Sequence, residues 1–560
     1  MENTYNRTKI KFIVIGLDGA TWDVILPMLD RGMLPNLKSL MENGNHGYLR
    51  STMPPFSPPA WSSFMTGMNP GKHGIFGFVN YDPHSYSQIE SKMVTSSSLA
   101  GLTIFDILGS LGFRIASISV PITYPAWPIS GYMVSGEPIP DTDEHLVYPE
   151  SFSKRLSYRY AFHSSFWAKP NDEIIQGLLR MDNSRADLAI ELLLEDDLDA
   201  LFVVLGATDR VQHNFWRFHD THFGSQLGLP HEPKYESVIV DTYQRADENI
   251  GRILSHIGKD TLVVIMSDHG GGPAATNFFN TNAWLQEYGY LQVARGKDSL
   301  VKDMHKTVLF LRRLIDTPLG SKLRHILPDK MVNQGRALVR NIAQVNWNET
   351  RAYRFPMYPP LEGIVVNVTG RQPQGIVHPG AEYERIRQEI CEQIRDVTDP
   401  VTGDRLIINT YLREDIYNGP HIERSPDIIL VLKENYSGGT GLGSTFITAV
   451  DPLALQKVNG EHRMNGILVA CGPMIKAREI IEGASLEDIA PTLLYSLGLP
   501  VSDKMDGKVL KDLFSKEFLA RNPEVKSMKL DDMGSGFPEF SLTKEEELQI
   551  EEQLKKLGYL

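Results

Sequence analysis

Apolar runs rich in β-branched residues, bounded by turn residues, recur along the chain: KFIVIGLDG at 11–19, FRIASISV at 113–120, LDALFVVLGATD at 198–209, TLVVIMSDHG at 261–270 and NGILVACGP at 465–473. A strand with one wet face alternates apolar and polar positions. Near-continuous apolar runs mark strands covered on both faces. Helix-compatible stretches separate the runs, so the pattern predicts an α/β fold: a doubly wound, mostly parallel sheet with helices on both faces. In such sheets the functional crevice lies beyond the carboxyl ends of the strands. Asp18, Asp209 and the pair Asp268/His269 each fall where an apolar run stops.

The pattern changes between 290 and 345, where a helical stretch including KTVLFLRRLI carries eleven Lys/Arg against four Asp/Glu. This marks an insertion or lid. Residues 355–435 mix short strand patterns with a helix around Glu382–Arg395, as in a small α+β subdomain. The sheet pattern then resumes, and the tail LTKEEELQIEEQLKKLGYL, with Glu/Lys pairs at helical spacing, predicts a docking helix. The expected division is therefore 1–289 and 436–515 for the two parts of the core, 290–354 for the basic insertion, 355–435 for the subdomain and 516–560 for the tail.

Composition narrows the classes. A 560-residue chain with 42% hydrophobic and 22% charged residues is ordinary globular material. Its net charge of −13 argues against a partner that is a nucleic-acid polymer, which calls for basic excess on the binding face. The two cysteines, Cys391 and Cys471, lie far apart in apolar contexts, outside any disulfide or thiolate-metal spacing, and read as core residues. The N-terminal apolar run meets Asp18 too early for a signal peptide, and no run approaches the roughly 20 residues of a membrane span. The expected location is cytoplasmic.

Candidate chemistry sits at four places. Ser57 opens SPPAWSSFMTG, where Ser followed by Pro is a helix-start signal, and a hydroxyl there also meets the positive end of the helix dipole and free N–H groups suited to a phosphoryl oxygen. Asp209 and His213 in ATDRVQHNFW share one helix face at a spacing of four, as surface pairs and metal ligands both do. Asp268-His269 ends a strand, and His462 precedes one. Together with Asp18 they provide three carboxylates, three imidazoles and one hydroxyl, an inventory for two cations with mixed O and N ligands. Zn2+ suits that mixture, with Mn2+ or Fe2+ as alternatives.

The ordered set resembles the type I phosphodiesterase/nucleotide pyrophosphatase branch of the alkaline phosphatase superfamily. The resemblance rests on Asp18, a P-P-F-S-x-P-A-W-S-S block around Ser57, D-x-x-x-H at 209–213, S-D-H-G at 267–270, His462, and DIAPTLLYSLGLP at 488–500. It implies one metal bound by Asp18, Ser57, Asp268 and His269, and a second bound by Asp209, His213 and His462. Ser57 would be the catalytic nucleophile, forming a covalent phospho-enzyme intermediate on a small-molecule phosphate ester. His73 also matches the block, where it is a structural residue.

Two positions depart from the nucleotide pyrophosphatase pattern, which has Thr as nucleophile and Asn three residues later; here they are Ser57 and Ala60. Loss of an oxyanion donor can cost about 2.7–4 kcal/mol, so another group must substitute or the substrate differs. Ala60 and Trp61, small or apolar after the nucleophile, are the candidate substrate-binding surface. Among rival readings, a sulfatase requires Arg where Trp61 stands. A phosphomonoesterase or phosphoglycerate mutase-like phosphotransferase brings an extra Arg or an inserted domain that the sequence does not display. A non-catalytic metal-binding homologue would be expected to have lost some of the seven ligands.

Overall fold

Side chains along a strand alternate between its faces, and in β1 (Phe12–Leu17) both sets are buried. Ile13, Ile15 and Leu17 enter one apolar core, Phe12 and Val14 another. Such a strand belongs in the middle of a covered sheet. The structure is a computed structural model describing residues 10–80, 82, 84–86, 93–99, 101–140, 145–156, 170–293, 345–443, 445–529 and 542–556. Residues 294–344 of the basic stretch lie outside the described residues.

The remaining strands of the central sheet are β2 (Asn45–Arg50), β3 (Ile115–Val120), β4 (Gly131–Ser135), β5 (Val147–Tyr148), β6 (Ala200–Leu205), β7 (Leu262–Met266), β8 (Asn465–Cys471) and β9 (Glu479–Ser485). The nine run in the order β9-β2-β8-β7-β1-β6-β3-β4-β5. Pairing is parallel from β7 to β4, and β8 runs antiparallel to both its neighbours. One face is covered by α1 (Ser57–Thr66) and α5 (Ile489–Ser496) through Trp61, Phe64 and Leu493. The other is covered by α2 (Asp172–Glu195), α3 (Ala207–His219) and α4 (Val238–Leu254) through Leu192, Val211, Phe215 and Ile250. This is the alkaline phosphatase-like α/β arrangement.

Register decides what the sheet can do. β6 and β7 flank β1, with Leu17 opposite Leu205 and Gly16 opposite Met266. Three adjacent strands therefore stop at one level, and Asp18, Asp209 and Asp268 leave from the same end. The strand segment Gly460–Arg463 pairs antiparallel with Gly270–Pro273, setting His462 opposite Gly271 just past β7. On the other side α1 presses against β1: a Cβ on Gly16 would lie 2.4 Å from the Trp61 ring.

A four-stranded antiparallel sheet, in the order Ala352–Phe355, Leu361–Val366, Ile428–Leu432, Ile407–Leu412, has its own core. Helix Ala381–Ile394 packs on it through Ile386, Ile390 and Ile394. Trp284 and Leu285 join that core, so the chain enters it before residue 289, where the sequence pattern ends the first part of the large core. Helix Lys544–Lys556 puts Ile550 and Leu554 into the apolar core to which α1 also contributes, and its Glu546 accepts a 2.9 Å bond from the Tyr124 hydroxyl. Cys391 and Cys471 are free and only partly buried.

The start of α3 is fixed from α2. The buried Asp182 carboxylate accepts the N–H groups of Gly206 at 2.9 Å and Ala207 at 3.1 Å, two donors a helix start leaves without intrahelical partners. Asp182→Ala should strand both in the interior at a cost of about 2–4 kcal/mol, while Asp182→Asn, which keeps an acceptor, should cost less. Calorimetric unfolding checks this; an unchanged midpoint for the Ala variant would remove Asp182 as the anchor of the helix that carries Asp209.

Candidate metal centre

Ser57 stands one residue further into α1 than a cap. The N-cap is Phe56, so the Ser57 hydroxyl is not spent on capping and lies 3.4 Å from His269 Nε2. The helix end differs in a second way from the sequence expectation. Pro58 and Pro59 have no N–H, and the Ala60 N–H is taken by the Phe56 carbonyl at 3.0 Å, so this helix start does not offer a cluster of free N–H donors to a phosphoryl oxygen.

The six acidic and imidazole candidates gather into two buried triads, Asp18/Asp268/His269 and Asp209/His213/His462, the ligand atoms of each within 4.8 Å of one another. In the second, His213 Nδ1–H donates to the Gly460 carbonyl at 2.8 Å and His462 Nδ1–H to the Pro55 carbonyl at 2.9 Å. Those bonds turn both Nε2 atoms inward. They lie 3.0 Å apart, each 3.3 Å from Asp209 Oδ1. In the first triad, His269 Nδ1–H donates to the Gly270 carbonyl, leaving Nε2 facing Asp268 Oδ2 at 3.3 Å and Asp18 Oδ1 at 3.8 Å. Both carboxylate oxygens are buried and have no hydrogen-bond partner among the described residues. Converging lone pairs with a backbone-fixed tautomer on every imidazole are the donor set of a divalent cation.

The protonation pattern reflects the same crowding. Burial, then the charges of Asp268 and Asp209, raises the Asp18 carboxyl well above the usual range. Burial likewise pushes Asp268 up to about 7, opposed by the Gly19 N–H. Asp209 is also buried, but His213 and His462 overcome that and hold it well below the usual range. Burial and the neighbouring His269 depress His462 to about 3, whereas for His213 the attraction of Asp209 outweighs burial and raises it. The attraction between Asp209 and the two imidazoles therefore runs both ways, holding the carboxyl low and drawing the His213 imidazole up.

The supporting contacts come from all around. Trp61 Nε1–H donates to Asp18 Oδ2 at 3.1 Å, and the Thr208 hydroxyl donates to the Asp18 carbonyl at 2.6 Å. Trp61 and Ala60 are both 0% exposed. They are therefore not the substrate-binding surface expected from the sequence: the apolar face of α1 is consumed by packing on β1, and Trp61 orients a carboxylate. His73 is buried, accepting the Ile75 N–H at Nδ1 and meeting the Ser63 hydroxyl at 3.0 Å.

Two features were missed in the sequence. A cavity of about 550 Å³ opens beside His213, lined by Phe56, Phe78, Phe278, Phe355, Met357 and Tyr358. Tyr358 stacks on Phe56 at 4.4 Å and lies 4.4 Å from the His462 ring. Arg210, next to Asp209, lines a smaller pocket with Ser57, Asp18 and Glu137. Adjacency to a strand-end Asp was the only available signal for Arg210; the cavity joins segments some 300 residues apart.

Fold and site together define an alkaline phosphatase-like hydrolase of phosphoric esters with candidate sites for divalent metal. Residues 12–465 match the type I phosphodiesterase / nucleotide pyrophosphatase family, and the chain belongs to that family. Among solved structures it is similar to phosphonoacetate hydrolase from Sinorhizobium meliloti 1021 in complex with phosphonoformate, with a TM-score of 0.51, 17% identity and coverage of 88% of this chain and 96% of that one. It is also similar to murine ectonucleotide pyrophosphatase/phosphodiesterase 5, an inactive form in complex with AMP, with a TM-score of 0.47, 14% identity and coverage of 90% and 100%. A search of the curated proteins gives no match. Among the described residues, no helix is long and apolar enough to cross a membrane.

The raised Asp268 carboxyl fixes a sign. In metal-free protein its folded-state value, about 7, exceeds the unfolded 3.8, so the stability it contributes is full below pH 4 and is lost as pH rises through 7. A metal must displace the same proton, so affinity should rise over that range. Zinc titrated into the metal-free protein at pH 6 should release protons, measured calorimetrically in buffers of different ionisation enthalpy. Proton-silent binding would contradict ligation by Asp268.

Proposed function

We propose that the chain is a metal-dependent phosphodiesterase in which Ser57 is the nucleophile, Asp18, Asp268, His269 and Ser57 hold one cation, and Asp209, His213 and His462 hold a second. The observation that carries this is the position of Ser57: its hydroxyl is not used in capping, lies beside His269, and borders a pocket with Asp18 from one triad and Asp209 from the other. A pair of divalent cations, zinc by the donor set, supplies charge neutralisation for phosphoryl transfer and acidifies a coordinated hydroxyl.

The chain's own groups do the rest. Ser57 Oγ gives up its proton and attacks phosphorus, the ester oxygen departs opposite and leaves as the alcohol once protonated, and the resulting seryl phosphodiester, which still carries the second substituent, is hydrolysed by water to release a phosphomonoester and restore the Ser57 hydroxyl. The buried α1 holds the hydroxyl rigidly, and Trp61 fixes Asp18 at its side. The aromatic cavity beside His213 and His462 would receive the second substituent of a diester, which a monoester lacks. That cavity replaces the Ala60/Trp61 surface as the reason to favour diesters.

Ser57→Ala should abolish turnover while the other six ligands retain most of the metal. Residual activity above about a tenth would be too much for an enzyme without its nucleophile, since such losses normally span several orders of magnitude. His213→Ala should instead lower metal content toward one ion per chain by elemental analysis. With metal present, kcat/KM should be higher for bis-p-nitrophenyl phosphate than for p-nitrophenyl phosphate or p-nitrophenyl sulfate. A tenfold monoester advantage, about 1.4 kcal/mol in the transition state, would turn the reading to a phosphatase.

A further inference from the structure

If Ser57 is the nucleophile, its phosphoryl oxygens need donors. The usual Asn position is Ala60, fully buried; Pro58 and Pro59 have no N–H; and the Ala60 N–H is bonded to Phe56. The pocket that Ser57 lines with Asp18 and Asp209 does contain two guanidinium groups. Arg185 is tied into the scaffold, donating to the Val204 carbonyl at 3.1 Å. Arg210 sits at the active end: its Nε lies 3.9 Å from Asp209 Oδ2, and its charge acts to lower the Asp18 carboxyl.

Arg210 does not come as a bare charge. It is ion-paired with Glu137, which lines the same pocket, and both side chains retain some exposure, 14% and 23%. Glu137 is itself set in place: its carbonyl accepts the Ile122 N–H at 2.9 Å, and the preceding Gly136 N–H bonds to the Thr123 hydroxyl at 2.8 Å. A guanidinium presents five N–H donors in a planar fork, so one edge can engage a carboxylate while another engages a phosphoryl oxygen. The pair as a whole carries no net charge.

We infer that Arg210 and Glu137 together form the charge-selective part of the Ser57 site: Arg210 supplies donors to the phosphoryl oxygens, and Glu137 cancels its positive charge. This deepens the reading of Ser57 as nucleophile and rests on it. A site built this way gives directional hydrogen bonds to a singly charged phosphodiester without the excess cationic field that a doubly charged monoester would exploit. It fills the role left vacant at Ala60 with a residue from α3, the helix that also carries Asp209 and His213.

The test uses the full-length, metal-loaded chain with bis-p-nitrophenyl phosphate and p-nitrophenyl phosphate, and inorganic phosphate as a binding probe on the Ser57→Ala background. Arg210→Gln should cut kcat/KM for the diester at least a hundredfold and weaken phosphate binding, measured by calorimetry, at least tenfold. Glu137→Gln should raise the monoester-to-diester ratio of kcat/KM at least tenfold, because the unmasked guanidinium now favours the dianion. Arg210→Lys, which keeps a charge and the fold, should recover phosphate binding only in part. Equal losses on both substrates in Arg210→Gln and Glu137→Gln, with matching falls in unfolding midpoint and unchanged phosphate affinity, would reduce the pair to a structural ion pair. Should Ser57→Ala remain active, the nucleophile reading fails first; should Ser57→Ala be inactive and the substrate ratio stay fixed, this inference alone fails.

Discussion

Three buried carboxylates and three inward-facing imidazole nitrogens meet at one end of one sheet, and the rest of the structure is organised around that concentration of lone pairs. Left to itself it is repulsive. Burial and the charges of neighbouring carboxylates raise Asp18 and Asp268, whereas His213 and His462 hold Asp209 low. Buried acceptors without donors are expensive, and Asp18 Oδ1 and Asp268 Oδ2 are both in that state. A fold that keeps such groups together has to hold them from outside, because they do not hold one another.

The holding is done by backbone and by parallel register. β1, β6 and β7 end level, so three acidic residues arrive together without any flexible connection. Each histidine is oriented by a carbonyl on its Nδ1, and Asp18 is gripped through a side-chain oxygen by Trp61 and through its own carbonyl by Thr208. The closeness of α1 to β1, which leaves no room for a Cβ on Gly16, fixes a helix that carries Ser57 and Trp61 on successive turns. Rigid placement of a nucleophile and its surroundings is where much of an enzyme's rate advantage originates.

What could be read from the sequence follows from the same geometry. Asp18, Asp209 and Asp268 announce themselves because each interrupts an apolar run, and the strand ends of a doubly wound sheet are where function collects. His462 is less legible. Its place depends on pairing with Gly270–Pro273, about 190 residues earlier, and local pattern carries no trace of that pairing. Ser57 was read one position early as a cap, because Ser-Pro is a good start signal and the extended Phe56 before it has no such mark. The sequence offers Ala60 and Trp61 as a substrate surface because they follow Ser57, but a helix whose other faces are all buried has no surface to give there. The aromatic cavity was invisible for a different reason: Tyr358 and Phe355 reach it from the four-stranded sheet, whose core is separate from that of the large one.

That separation suggests why the two chemistries coexist. The strand ends need a polar, charge-dense environment in which any apolar substituent would be badly solvated, while an aromatic cavity built from the same strands would strip the carboxylates of the neighbours that position them. Drawing part of the cavity wall, Phe355, Met357 and Tyr358, from the second sheet and the turn after its first strand, with Tyr358 as the point of contact over His462 and Phe56, lets that part be packed apart from the strand ends. If both triads hold a divalent cation as proposed, the three carboxylates would leave a single positive charge while Ser57 is still protonated, and the Arg210–Glu137 pair would add none. In a buried site where charge imbalance is magnified by low dielectric, a ligand bearing one negative charge and one apolar arm would, on that reading, satisfy both halves at once. A dianion with no arm would satisfy neither.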